Sequence, residues 1–274
     1  MNLKLSRFAR ITITRILGDR NKHVLLPVMR GPARGLRFRL NLQLPIELAY
    51  FLGTYESQIT QELPGICKRG WTVWDCGTYL GYYTCLFARL VGPEGQVIAV
   101  EPDPRNMART KDNVARNGFN NVSFVRAAIG APVGYTEFVI NSDTNSHIPG
   151  TYIGATPGDY TGDTRRQQQI RVRALSLDEM VDQIAMPHLI KLDIEGAEQL
   201  ALEHSLKLVE KARPIILLEL HNPSCDTAAW QFAGRANYML KALPGGQLLQ
   251  RAEEVHGTVL ALPRSRGDRF ESID

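Results

Sequence analysis

A chain of 274 residues with 44% hydrophobic and 22% charged side chains can bury a full core, and no apolar run approaches the roughly 20 residues that a bilayer-spanning helix needs. A net charge of only +4 argues against an overall basic, nucleic-acid-binding surface. The four cysteines (Cys67, Cys76, Cys85, Cys225) lie at no metal-binding or C-x-x-C spacing, and no secretory h-region follows the first residues, so a cytoplasmic protein is expected.

Residues 1–22 hold Lys4, Arg7, Arg10, Arg15, Arg20 and Lys22 against the single acid Asp19. Leu3, Leu5, Phe8, Ile11, Ile13, Ile16 and Leu17 lie between them at loosely helical spacing, which predicts an amphipathic helix. Such a helix packs on its own domain or on a second subunit, as in a homo-oligomer, or rests peripherally on an anionic membrane surface. Gly31 to Asn41 alternates polar and apolar residues like a short strand, and Ile46 to Ile66 reads as helical. Residues 1–66 are therefore expected to form an N-terminal helical cap on a domain spanning 67–274. Strands are predicted near 71–75, 96–101, 122–127, 188–193, 214–220 and 257–262, and helices near 81–91, 105–117, 176–184, 197–210 and 226–242. Apolar strands alternating with helices predict an α/β fold, a mainly parallel sheet with helices on both faces. Residues 141–169, rich in Gly, Pro, Ser, Thr and Asp, break the rhythm as an insertion loop between strand-like segments at 135–140 and 170–175. A polar loop of this length predicts a lid over a substrate, with Tyr152 and Tyr160 as its contacts.

The most informative stretch runs from Trp71 to Thr84: an apolar strand ends in Asp75, and a turn with Gly77 and Gly81 opens a helix. A second apolar strand ends in Glu101-Pro102, where a carboxylate meets ribose hydroxyls in a nucleoside-binding βαβ unit. Glycines four apart do not form the G-x-G-x-x-G that seats a pyrophosphate, and Asp75 repels a phosphate. The same aspartate favours a cation carrying an ammonium and a sulfonium, which points to S-adenosylmethionine (SAM). Small residues Ala127 and Ala128, at the third strand end, are candidates for an adenine slot.

Lys191, Asp193 and Glu195 follow the fourth strand, and charges at that end of a parallel strand face the ligand crevice. Glu219 and His221 share one face of the fifth by strand alternation. If these strands are neighbours, carboxylates, a lysine and an imidazole meet at one rim beside the cofactor.

The chain resembles the FkbM-type methyltransferases over roughly residues 50–222. The marks are Gly53-Thr-Tyr-Glu56, Asp75 to Thr84, Val100-Glu-Pro-Asp103, Asn113 to Asn117, Ser176-Leu-Asp178, Ile190 to Glu198, and Glu219-Leu-His221. The resemblance implies a Rossmann-like class I methyltransferase fold with a seven-stranded sheet, and O-methylation of a hydroxyl on a sugar, glycan or natural-product acceptor. It further implies SAM contacts from Glu56, Asp75, Gly77, Tyr79, Gly81, Tyr82, Glu101, Ala128 and Asp193. His221, Asp193, Glu195 and Lys191 are the candidate catalytic residues, with His221 as a neutral base. Asp193 and Glu219 are the candidate ligands if a divalent cation such as Mg²⁺ lowers the hydroxyl pKa. A nicotinamide oxidoreductase shares the fold but needs room for a pyrophosphate. An amino-directed nucleic-acid methyltransferase more naturally carries Asn/Asp-Pro-Pro-Tyr/Phe where Asp193-Ile-Glu-Gly stands, and a non-catalytic scaffold would not bind SAM.

Overall fold

A computed structural model describes residues 23–130, 134–141 and 167–265. The expected helix over 1–22 lies outside these residues, as do Tyr152, Tyr160 and most of the predicted lid. No described helix is long and apolar enough to cross a membrane.

Seven strands form the central sheet: β3 (Thr72–Cys76), β4 (Gln96–Val100), β5 (Val122–Val125), β9 (Leu189–Leu192), β10 (Ile215–Leu220), β11 (Tyr238–Ala242) and β12 (Gly257–Pro263). Their spatial order is β11-β12-β10-β9-β3-β4-β5. Pairing is parallel from β5 through β10, and β12 alone runs the other way, antiparallel to both β10 and β11. The fold is the expected α/β arrangement, a mainly parallel, seven-stranded sheet with helices on both faces. Strand alternation sends Trp74, Ile98, Ile190 and Ile216 to one face and Val73, Val97, Leu189 and Leu217 to the other, and each face has its own apolar cluster. Trp74 is fully buried and satisfies its indole by donating to the Ala185 carbonyl at 2.9 Å.

One face is covered by α4 (Tyr82–Val91) and α5 (Pro104–Arg116), the other by α6 (Leu177–Gln183), α7 (Glu198–Glu203), α8 (Leu206–Lys211) and α9 (Pro223–Ala236). Local chemistry sets their starts. Pro104 opens α5 behind Asp103, whose carboxylate accepts from the Arg105 N–H, and Ser176 with Glu179 makes a capping box for α6.

Before the sheet, β1 (Val24–Pro27) and β2 (Arg37–Leu40) form an antiparallel hairpin, followed by α1 (Pro45–Leu52), α2 (Ser57–Thr60) and α3 (Leu63–Ile66). Asn113 and Asn117, one turn apart on α5, stand in for a further strand: they accept from the Arg39 and Arg37 N–H groups, and Asn117 donates to the Arg37 carbonyl. Phe38, Tyr50 and Leu63 share one cluster with Val73, Leu86 and Phe87, so no break in packing marks residue 66.

The remaining strands, β6 (Ala128–Ile129), β7 (Gly134–Asn141) and β8 (Gln167–Leu175), form a small separate sheet in the order β6-β8-β7. Four expectations change. The strand expected over 31–41 shrinks to β2, and β1 is added as its partner. The helix expected over 46–66 is three short ones. The helix expected over 197–210 splits at His204-Ser205, where the buried Ser205 hydroxyl donates to the Leu202 carbonyl at 2.6 Å. The helix expected over 226–242 stops at Ala236, because Asn237 takes a left-handed conformation and the chain then pairs with β12 as β11.

Candidate active site

The chain runs outward from β3 through β4 to β5, then returns to the other side of β3 as β9. That reversal between β3 and β9 is where open parallel sheets bind ligands, beyond the carboxyl ends of their strands. Asp75, Glu101, Asp193 and His221 all stand at such ends, on β3, β4, β9 and β10 respectively.

On the β3–β4 side, Glu101 is buried, and its two oxygens accept from the Tyr79 N–H at 2.9 Å and the Asp103 N–H at 3.0 Å. Burial pushes its carboxyl up to about 8 against the pull of those donors. The Asn106 side chain adds a third hydrogen bond, and the carboxyl keeps an acceptor site that fits a ribose hydroxyl. Asp75 is fully buried and accepts from the Thr84 hydroxyl at 2.5 Å through Oδ2, while Oδ1 has no partner among the described residues. Burial raises it to about 6, partly offset by the charge of Lys191. An orphaned buried carboxylate oxygen at this strand end fits a cationic ligand better than a phosphate.

Gly77 and Gly81 are required by the fold itself. A Cβ on Gly77 would lie 1.7 Å from the Asp193 carbonyl oxygen, so the glycine lets the β3 and β9 turns touch. One on Gly81 would lie 2.9 Å from Thr110 Cγ2. Thr110 also donates to the Tyr79 carbonyl and shares a hydrogen bond with Thr78, holding Tyr79 at φ +50° with its N–H on Glu101. Two expected cofactor contacts point elsewhere. The Tyr82 ring is buried, stacked on Phe38 and packed against Tyr50, so it joins the hairpin to α4. The Ala128 side chain is buried with Phe138, Ile140 and Val172 in the small sheet, because β6 peels away from the central sheet at that point.

On the β9–β10 side, the buried Lys191 ammonium pairs with Asp193 at 2.5 Å and lies 4.5 Å from the centre of the Tyr83 ring. The Tyr83 hydroxyl in turn donates to Glu56. Burial disfavours the Lys191 charge, but Asp193, Asp75, Glu219 and Glu56 together hold it above the ordinary lysine value. Lys191 is therefore a fixed cation that orders the carboxylates around it. Glu56, expected at the cofactor, joins this carboxylate group through Tyr83.

His221 presents Nε2 to Asp193 Oδ1 and Glu195 Oε2, each at 3.6 Å, while Nδ1 meets Glu198 Oε1 at 3.0 Å. Glu195 reaches it from a left-handed backbone at φ +56°. Burial opposes charge on His221, but the Glu198 hydrogen bond and the surrounding carboxylates outweigh it and raise the imidazole to about 9. This runs against the expectation of a neutral histidine: in the ligand-free chain the surrounding carboxylates favour the protonated ring. Burial and the neighbouring charge of Asp193 push Glu219 up to about 7, and burial raises Glu195 to about 8 despite His221.

Glu198 is the residue that the sequence reading passed over. It is fully buried and accepts from the Ile194 and Gly196 N–H groups, the Cys225 thiol and His221. Its only sequence signal was its place at the end of the Ile190 to Glu198 block. Among the described residues, ligand atoms of Asp193, Glu219 and His221 lie within 4.8 Å of one another. His221 thus joins the two expected metal ligands, and Glu198 on its far nitrogen is the outer carboxylate that commonly orients a metal-binding histidine.

Over 61 residues, 22% of this chain and 16% of its relative, the sequence is 41% identical to an arsenite methyltransferase of Halobacterium salinarum. Over 56 residues, 20% of this chain and 26% of the relative, it is 39% identical to a protein-L-isoaspartate O-methyltransferase of Ignicoccus hospitalis. Each match thus spans about a quarter or less of the curated relative's length. The crystal structure of a methyltransferase FkbM from Methylobacillus flagellatus aligns at 16% identity with a TM-score of 0.45, over 70% of this chain and 43% of that one. The model of the methyltransferase FkbM domain matches residues 75–266, a stretch that runs from Asp75 past Glu101, Asp193 and His221. With more than half of its length in that match, the chain belongs to the FkbM methyltransferase family.

Proposed function

We propose that this protein is a SAM-dependent O-methyltransferase acting on a hydroxyl of a sugar, glycan or natural product. The observation that carries the reading is one end of the sheet with two chemistries. Asp75 and Glu101, on β3 and β4, suit a cationic nucleoside, and a histidine among carboxylates stands beside them on β9 and β10. SAM would bring an electrophilic methyl group on its sulfonium. The chain's own residues would hold the ribose through Glu101, place the acceptor oxygen before His221 and Asp193, and take up its proton. Positioning of that kind supplies much of the rate in a bimolecular transfer.

The triad of Asp193, Glu219 and His221 favours a version with a divalent cation over plain base catalysis. A metal bound there lowers the pKa of a hydroxyl that touches it. His221 would lend Nε2 once its proton leaves, with Nδ1–H kept on Glu198. One nitrogen and two carboxylates suit Mn²⁺, Fe²⁺ or Zn²⁺ at least as well as Mg²⁺.

Purified protein incubated with SAM and a panel of hydroxylated acceptors should give a product heavier by about 14 daltons, one CH₂. Failure to bind SAM by calorimetry would overturn the cofactor assignment, and methylation of nitrogen or carbon alone would overturn the O-directed one. Glu101→Ala is expected to weaken SAM binding by about 1–3 kcal/mol, the cost of leaving a buried ribose hydroxyl without its partner. An unchanged affinity in a folded variant would remove Glu101 from the site. For the metal, elemental analysis should find one divalent ion per chain after dialysis against Mn²⁺, and less in Asp193→Asn. Chelation should abolish turnover, and Mn²⁺ should restore it. Full turnover without metal would leave base catalysis as the mechanism.

A further inference from the structure

We propose that the outer face of the β1–β2 hairpin docks the protein on an anionic phospholipid surface. Charge is segregated along the chain. Ten of its 32 Lys and Arg residues, but only one of its 28 Asp and Glu residues, fall within residues 1–46, so the remainder is net negative. The structure turns part of this bias into a surface. In the hairpin register Leu25 lies opposite Arg39 and Pro27 opposite Arg37, and all four are exposed on the same side. Met29 and Arg34 extend that exposed stretch through the connecting turn. Leu25 and Met29 are 42% and 54% exposed, so apolar side chains are interleaved with the cations on this face.

The opposite face is packed: Phe38 and Leu40 are buried in the core, and Asn113 and Asn117 bond the free edge of β2. The hairpin is therefore held firmly with its apolar and cationic side outward. Among the described residues no carboxylate pairs with Arg34, Arg37 or Arg39. Cations alternating with aliphatic side chains match the interface of a bilayer, where the aliphatic groups enter the headgroup boundary and the guanidinium groups meet phosphate. A single-stranded nucleic acid would instead call for aromatic stacking platforms, and among the described residues this face has none. The Arg-, Lys- and aliphatic-rich residues 1–22 join directly to this hairpin and add to the same charge.

Vesicle co-sedimentation of the full chain tests the proposal. Binding is expected to phosphatidylcholine vesicles that contain about a third phosphatidylserine, and to fall steeply when salt is raised. The combined variant Arg34→Glu/Arg37→Glu/Arg39→Glu should lower the partition roughly 100-fold or more. Its melting temperature and SAM affinity should stay unchanged, since none of the three touches the crevice. Leu25→Ser/Met29→Ser should lower partition with the charges intact. Equal binding to neutral vesicles, or wild-type partition by the triple variant, would overturn the proposal. So would a stable dimer that loses its association on the same substitutions, which would assign the face to a second copy of the chain. Preferential binding of RNA over vesicles would count against it equally.

Discussion

Replacing His221 with alanine is expected to lower turnover by about 10²-fold or more, and Asp193→Ala by a similar factor. The two side chains approach within 3.6 Å at the carboxyl ends of β9 and β10, and among the described residues no other imidazole joins the cluster. The fold should survive, because Glu198 keeps its bonds to the Ile194 and Gly196 N–H groups and to Cys225 when the ring is removed. SAM affinity in His221→Ala should change little, since Asp75 and Glu101 lie on the other side of the switch point. Glu198→Gln separates positioning from chemistry: it leaves His221 in place but removes the charge that supports it, so the pH–rate profile should shift along with the drop in kcat. Full activity in both His221→Ala and Asp193→Ala would defeat the assignment.

Stability of the metal-free protein should carry the same signature. The His221 pKa is raised on folding from its ordinary 6.5 to about 9. Its contribution is therefore complete below about pH 6.5 and is lost as pH rises through 9. The gap in melting temperature between wild type and His221→Ala should close over that window. A gap that stays constant would mean that the imidazole gains no proton affinity on folding.

Gly77→Ala is expected to be the most damaging single-methyl change in the described part of the chain. Its new Cβ would sit 1.7 Å from the Asp193 carbonyl oxygen and 2.9 Å from the Asp193 carbonyl carbon, both backbone atoms. Neither side can yield easily. The Gly77 N–H is bonded to the Val100 carbonyl at 2.9 Å, and the Asp193 N–H to the Cys76 carbonyl at 3.1 Å. A left-handed φ of +86° adds its own penalty for any residue with a Cβ. A loss of at least about 3 kcal/mol follows, or a fall in melting temperature on the order of 10 °C for a chain of this size. SAM binding should fail as well, because the turn that places Tyr79 on Glu101 starts at this glycine. Gly70→Ala is the control: its φ is +80°, but nothing lies within 4 Å of the added methyl. It should cost only the left-handed penalty, about 1–2 kcal/mol. Equal losses from the two substitutions would show that the contact with Asp193 is not what requires Gly77.

Much of the site is legible in the sequence, because part of its chemistry is local. Asp75 and Glu101 end apolar strands about 25 residues apart, and a βαβ unit of that length places both at one sheet edge whatever else the chain does. Glu219 and His221 share a face by simple alternation, and the structure brings both to the carboxylates after β9. The parallel pairing and the helices on both faces follow from the alternation of buried strands with amphipathic segments, whereas the strand order does not.

What the sequence did not carry depends on partners far along the chain. Tyr238-Met-Leu-Lys-Ala242 is as compatible with helix as with strand, and only the antiparallel edge of β12, which begins at Gly257, makes it β11. Tyr82 sits beside the glycines of the cofactor turn, yet its ring turns to Phe38 and Tyr50 because the hairpin closes over that face of α4. Ala128 follows the third strand but leaves the sheet with β6. An acid at the start of a helix ordinarily reads as a partner of the helix dipole. Glu198 becomes the buried support of His221 only because β10 lies beside β9. The protonation of that histidine was equally out of reach, since it is set by Glu195, Asp193 and Glu198 crowding one ring. Periodicity and strand-end residues are properties of neighbours in the chain, whereas charge state, ring orientation and the identity of an edge strand are settled by neighbours in space.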